Sequence, residues 1–167
     1  MKIFAIDPGN IQSAYCVMDD KYNFIEFAKR ENKEVMHRML ELLPEIDGVV
    51  IERMQSYGMP VGETTFVSAE WIGRFSQEAE KKVFVEYVYR RDEKLYICGS
   101  PRAKDVNIRA ALIERFAIKD KINGKGTKQD PDIFYGVKAD MWSAICIGTT
   151  FFDMKKDSQC KSINNNI

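Results

Sequence analysis

The 167-residue chain is poor in the residues that build most metal and redox sites: it holds one histidine and four cysteines. A single histidine excludes a histidine-rich metal centre, and His37 falls in a polar helical stretch, where a surface position is expected. Cys16, Cys98, Cys146 and Cys160 are scattered without a C-x-x-C pair. Three of them sit inside apolar runs, where a free thiol behaves as a small hydrophobe. Reduced thiols are therefore expected, and neither a zinc site nor a disulfide framework. No run approaches the ~20 apolar residues that cross a bilayer. The opening Met1-Lys2-Ile3-Phe4-Ala5-Ile6-Asp7 reaches a carboxylate too early for a signal peptide. A cytoplasmic location with no membrane partner is expected.

Net charge is also lacking, with 25 basic against 25 acidic residues, but the charge is not evenly placed. Residues 1–80 carry 8 basic and 14 acidic side chains, whereas residues 81–138 carry 14 basic and 8 acidic. An acidic half joined to a basic half suits a protein that holds cations with one and phosphates with the other. A solvated surface of mixed charge is the plainer alternative. With 45% hydrophobic residues the chain has material for one core. We expect one domain over residues 1–153 and a polar, disordered tail over 154–167.

Three strands open the chain, over residues 2–7, 12–18 and 22–28, separated by turns at Pro8-Gly9-Asn10 and Asp19-Asp20-Lys21; they form an antiparallel meander. Apolar residues at helical spacing follow over 32–43, with Asn32 as the expected cap and Pro44 as the stop. Gly48-Val49-Val50-Ile51-Glu52 is apolar on both faces, as a central strand covered on both sides must be. A loop over 53–63 leads to a helix over 64–80, capped by Thr64 or Thr65, and to a strand over 82–88. Residues 94–98 read as a short extended piece or the start of a turn. A helix over 103–116 follows, then a polar segment over 119–132 expected as a mobile loop, and a last apolar helix over 138–152. The order implies an α/β fold: a mixed sheet, with the meander joined to parallel strands, flanked by helices. In it the first and fourth strands lie side by side and end Asp7 and Glu52 at one edge.

Three acids stand out because each is attached to the core end of a buried element: Asp7, Glu52 and Asp140. An unpaired buried carboxylate costs several kcal/mol in order of magnitude, and a divalent cation offsets that cost. Magnesium takes carboxylate oxygens, water and substrate phosphate. Paired ions on such a cluster hydrolyse phosphodiesters, one activating water and the other stabilising the leaving oxygen. Each acid also has a bland reading. Asp7 can cap its Pro-Gly turn, Glu52 can pair with Arg53 or a lysine, and Asp140 can simply favour a helix dipole.

Phe4-Ala5-Ile6-Asp7-Pro8-Gly9 with the Tyr15 strand, Val50-Ile51-Glu52, Glu86-Tyr87 with Arg91, Lys94 and Gly99, Ala103-Lys104-Asp105-Val106, and Ala139-Asp140 with Ser143-Ala144 resemble, in that order, RuvC-type Holliday junction resolvases. The match spans about residues 2–152. Gly-Lys-Gly-Thr-Lys at 124–128, Phe134-Tyr135-Gly136 and Asp140-Met141-Trp142-Ser143-Ala144 are most similar to the phage-encoded branch, which would place the protein in a host cell. The resemblance implies an RNase H-like fold and a Mg2+-dependent endonuclease acting on branched DNA, with Mn2+ substituting and no small-molecule cofactor. It makes Asp7, Glu52 and Asp140 both catalytic residues and metal ligands. It also implies a homodimer, joined through the apolar helix that bears Phe66, Val67, Ala69, Trp71, Ile72 and Phe75. The sequence departs from the family at the last helix, where two metal-binding residues normally stand three apart. Here the pair is Asp140 with Ser143, or Val137 with Asp140. The first is favoured because Ala144 and Gly148 then fall on the family's small-residue face. Asp132 is a distant candidate for the missing acid.

Lys94, Arg102, Lys104 and Arg109 gather near the helix over 103–116, whose N-terminus suits a phosphate. Lys125, Lys128 and Lys138 add positive charge toward the last helix. Met54, Tyr57 and Met59, in the loop after Glu52, are candidates to wedge or stack at unpaired bases, or else to pack beneath their own loop. Two other readings compete. An actin-like phosphotransferase shares an Asp-x-Gly strand end but needs two lobes, for which the chain is too short. A branched-DNA-binding protein of the same fold that has lost catalysis would account for Ser143.

Overall fold

The structure, a computed structural model, describes the chain apart from residues 57, 59 and 165–167, and describes residues 162–164 by backbone alone. β1 (Lys2–Asp7), β2 (Gln12–Asp19) and β3 (Phe24–Glu31) form the expected antiparallel meander. β4 (Gly48–Arg53) pairs parallel with β1, and β5 (Phe84–Tyr89) pairs parallel with β4, giving the order β3-β2-β1-β4-β5. Side-chain alternation splits this sheet between two cores. Phe4, Ile6, Val49 and Ile51 pack with α1 (Asn32–Leu42) and α2 (Glu63–Ala79). Ile3, Ala5, Val50 and Val88 pack on the other face with α4 (Asp105–Phe116) and α5 (Met141–Asn164). Gly148 lets α5 lie close to the sheet, since a Cβ there would stand 2.4 Å from Met18 Sδ and 3.2 Å from Ala5 Cβ. No helix among the described residues is long and apolar enough to cross a membrane.

Four local expectations are corrected. Residues 94–98, expected as an extended piece, belong to a helix, α3 (Arg90–Cys98), stopped by Gly99 at φ +68°. The apolar Leu95, Ile97 and Cys98 suggested a strand, but the acids in the first turn and the left-handed glycine after Cys98 are helix signals. Neither Thr64 nor Thr65 caps α2; Gly62 holds the cap position. Residues 154–164, expected as a disordered tail, continue α5. No proline or glycine breaks that stretch, and its first turn is anchored. Asp153 accepts Arg115 Nη1 and Nη2 at 2.6 and 2.8 Å, and Lys156 Nζ lies 4.0 Å from the centre of the Tyr22 ring. The fourth correction concerns Asn32.

Asn32 does not cap α1. Glu31 stands there, and its N–H donates to Glu34 Oε2 at 3.2 Å. The buried Asn32 side chain instead holds the turn that follows Asp7. Its Nδ2 donates to the Gly9 carbonyl at 2.9 Å, and its Oδ1 accepts from Ser13 Oγ at 2.6 Å. The Gly9 N–H in turn donates to Ser13 Oγ at 3.2 Å. No side chain fits at Gly9, where a Cβ would lie 2.2 Å from the Gln12 carbonyl oxygen. Asn32→Ala strands two of these buried groups at a cost of about 1–3 kcal/mol. A drop in Tm of several degrees is expected, and an unchanged melt would show that the turn stands without the asparagine.

Candidate active site

Asp7 and Glu52 end neighbouring parallel strands. Ile6 and Ile51 are partners in the register, so the next pair along is Asp7 and Glu52. By alternation both side chains continue the rows Ile3-Ala5 and Val50, and so point toward the α5 face. They meet within hydrogen-bonding reach of each other, and the pair holds on to a proton more tightly than a free carboxylate does. Burial pushes the Asp7 carboxyl up to about 8, helped by the charges of Glu52 and Asp140. Burial also raises Glu52, against the lowering effect of the Arg90 guanidinium and the Asp7 hydrogen bond. Burial beside like charges is the physical cause of both shifts.

Asp140 is placed by the turn entering α5. Ala139 adopts φ +46°, a conformation uncommon outside glycine, and Asp140 immediately precedes the first residue of the helix. Its charge reaches Asp7, while its Oδ2 is held by Lys29 Nζ from β3 at 2.5 Å. Ser143 lies one turn further, half-buried. Val137 lies outside α5 and is wholly buried in the apolar core. Asp132 is not a member of the cluster. Its carboxylate accepts the N–H groups of Asp120, Ile118, Ile133 and Lys119 at 2.7–3.1 Å, which hold it far below the usual carboxylate range. Asp120 accepts four more, from Ile122, Asn123, Lys125 and Gly126. The segment expected as a mobile loop is thus folded around two aspartates.

The acid that the sequence reading missed is Glu93, on α3. It is fully buried at 0% exposure, its Oε2 accepts Arg90 Nη1 at 2.5 Å, and its Oε1 meets no N–H or O–H donor, with the Cys146 thiol beside the carboxyl. Burial and the charge of Glu52, against Arg90, push it up to about 8. The available signal was the helix itself. Once Gly99 is read as a helix stop, Glu93 and Ile97 fall four apart on one face, and Ile97 packs against the core.

Arg90 bridges two clefts. One, of about 620 Å3, runs along the loop after Glu52 and is lined by Glu52, Met54, Val61, Phe66 and Arg90 among others. The other, of about 220 Å3, is lined by Arg90, Arg91, Lys94 and Pro101. Of the expected phosphate contacts, Lys94 is therefore in a basic cleft adjoining the acids. Arg102 and Lys104 are exposed on the connection into α4. Arg109 is half-buried, with its guanidinium 5.0 Å from the centre of the Trp142 ring, two residues from Asp140. Lys128 and Lys138 are exposed; Lys125 is half-buried in the aspartate-anchored loop. Tyr57 and Met59 lie outside the described residues. His37 is exposed beside Glu41, and all four cysteines are free thiols, although Cys160 is exposed rather than in the core.

Asp7, Glu52, Glu93 and Asp140 offer only carboxylate oxygens, which suits a hard divalent cation. Among the described residues no three histidine, cysteine or acidic side chains already stand in a ligating arrangement; Asp140 pairs with Lys29 and Glu93 with Arg90. The donor chemistry fits such an ion.

A mixed sheet of this order, flanked by helices and with carboxylates at the ends of adjacent parallel strands, has the RNase H-like fold. Within it the chain has the fold of RuvC. It is similar to the Thermus thermophilus RuvC structure, at 16% identity and a TM-score of 0.60, covering 94% of this chain and 97% of that one. It is also similar to T. thermophilus RuvC in complex with Holliday junction substrate, at 14% identity and a TM-score of 0.65, covering 90% and 92% of the two chains. No protein-family model and no curated protein sequence matches the chain.

Proposed function

We propose that this protein is a divalent-metal-dependent endonuclease of the RuvC type that cuts branched DNA. The observation that carries the reading is the pairing of Asp7 and Glu52 at the ends of adjacent parallel strands, with the charge of Asp140 reaching them, three acids from distant parts of the chain brought to one edge of the sheet. The likeness of fold to a RuvC seen with a Holliday junction supports the choice of substrate. Asp7, Glu52 and Asp140 would hold magnesium, or manganese in its place. Such an ion would supply a readily ionised water as nucleophile and offset charge on the leaving oxygen. To ligate it, Asp7 would release its proton to solvent. Arg90, between Glu52 and the basic cleft, orients the phosphate, and Lys94, Arg102 and Lys104 hold the flanking backbone. Arg109, Lys125, Lys128 and Lys138 extend this basic surface along the last helix. Two copies, joined through the exposed face of α2, would set two sites on two strands of a symmetric junction.

Four-way junctions, forks and flaps incubated with magnesium, manganese or chelator test the reading. Metal-dependent nicking near the branch is expected. Tight branch binding with no nicking under any metal would replace the reading with that of a non-catalytic branched-DNA-binding protein. The phosphate contacts have their own test. Lys94→Ala with Lys104→Ala is expected to weaken binding to all DNAs and to reduce the slope of log K against log salt by about one for each lost contact. An unchanged slope would place the DNA elsewhere.

A further inference from the structure

We infer that Glu93 is a fourth carboxylate of the metal centre and fills the role left open by Ser143. The inference rests on the metal-dependent reading above and names a ligand that neither the resemblance nor the strand-end pair supplies. The last helix brings one acid to the site, Asp140, and one turn on it presents a hydroxyl, Ser143, which adds no negative charge. On the other side of Glu52, α3 delivers Glu93 with no exposed surface. α3 packs on α5 and starts directly after β5, the strand next to β4, so Glu93 enters beside the end of the strand that carries Glu52. It feels the charge of Glu52, and its own charge reaches Asp7.

The geometry of its two oxygens separates a ligand from a structural acid. Oε2 is committed to Arg90, whose other branch pairs with the exposed Asp105. Oε1 is sealed from solvent and meets no N–H or O–H donor, and the further donor to this carboxyl is the weak Cys146 thiol of α5. A glutamate kept only to fix Arg90 gains little by burying a second oxygen against a thiol, because a thiol is a weak donor and an under-satisfied buried acceptor is costly. A cation recovers that oxygen. The Arg90 bridge would then restrain Glu93 while leaving Oε1 free to ligate.

Manganese binding to the DNA-free protein tests this, read by calorimetry and by the metal-induced rise in Tm, without recourse to cutting. Glu93→Gln, which keeps the shape, is expected to raise the manganese concentration for half-saturation at least tenfold. Asp105→Asn removes the same unit of charge from the other partner of Arg90 and is expected to leave it within about twofold. Half-saturation at the wild-type value in Glu93→Gln, together with lost binding in Asp7→Asn, overturns the inference and leaves the metal-dependent reading standing. A wild-type protein that takes up no manganese overturns both. Equal weakening in Glu93→Gln and Asp105→Asn also overturns it, as an effect of charge alone. If Glu93→Gln gives no cooperative melt, Glu93→Asp decides. It keeps the charge but withdraws the oxygens by one methylene, so weaker manganese binding is expected and a wild-type value refutes ligation.

Discussion

Asp7→Asn is expected to abolish strand cutting while branched-DNA binding stays within a fewfold of wild type. The amide keeps the size of the carboxyl and its place at the end of β1, but it cannot supply an anionic oxygen to a divalent ion. A metal ion contributes several kcal/mol of charge stabilisation in the transition state, and each 1.36 kcal/mol is tenfold in rate. A loss of at least about a hundredfold follows. Single-turnover cutting of a four-way junction, with binding measured in parallel in calcium, separates the two effects. Wild-type cutting by the variant would remove Asp7 from the chemistry. A proportional loss of binding would mean that the substitution had damaged the surface rather than the reaction.

The same substitution is expected to stabilise the metal-free protein, most at high pH. Asp7 is raised from 3.8 to about 8 and Glu93 from 4.5 to about 8, both chiefly by burial. Between the ordinary and the folded values the folded chain binds more protons than the unfolded one. Stability therefore falls as pH rises through that window, which for these groups runs from about 4 to about 8. Above it the full cost is present. Asn cannot ionise, so Asp7→Asn escapes its share. Relief of about 2 kcal/mol raises Tm by roughly 4–8 °C in a chain of this size. Melts in chelator at pH 5.5 and 8.5 are expected to show the wild type losing stability across the interval and Asp7→Asn losing less. Saturating manganese is expected to reverse the order of the two proteins. Parallel pH curves for the two would mean that Asp7 titrates normally.

Much of this fold was legible because hydrophobic periodicity reports burial directly. Lys2–Asp7 and Gly48–Arg53 read as covered strands, and the meander and the parallel pairing of β1 with β4 followed. Where two conformations bury the same residues, periodicity over a short run cannot choose between them. Leu95-Tyr96-Ile97-Cys98 by itself reads as an extended piece or the start of a turn, and the helix shows only when the run is taken with the acids before it, Gly99 after it and its packing against α5. Asn32 shows the same limit at a single residue. A helix cap and a buried hydrogen-bond anchor have one sequence signature, and the Gly9 turn decided between them.

The sequence by itself marked Asp7 and Glu52 as anomalous acids, though not Glu93. A carboxylate at the end of an apolar strand is recognisable from its neighbours, because burial of charge is costly wherever the strand lies. Asp7 and Glu52 were placed together by that reasoning and by the element order. Which acids gather around them was decided by the tertiary structure. Asp132 is drawn away by the backbone amides of its own loop. Glu93, set among charged residues in a segment that reads as solvent-facing, is carried inward by α3 to lie beside Glu52. A carboxyl's proximity to another charge depends on helix placement across a distance in sequence that no local pattern encodes.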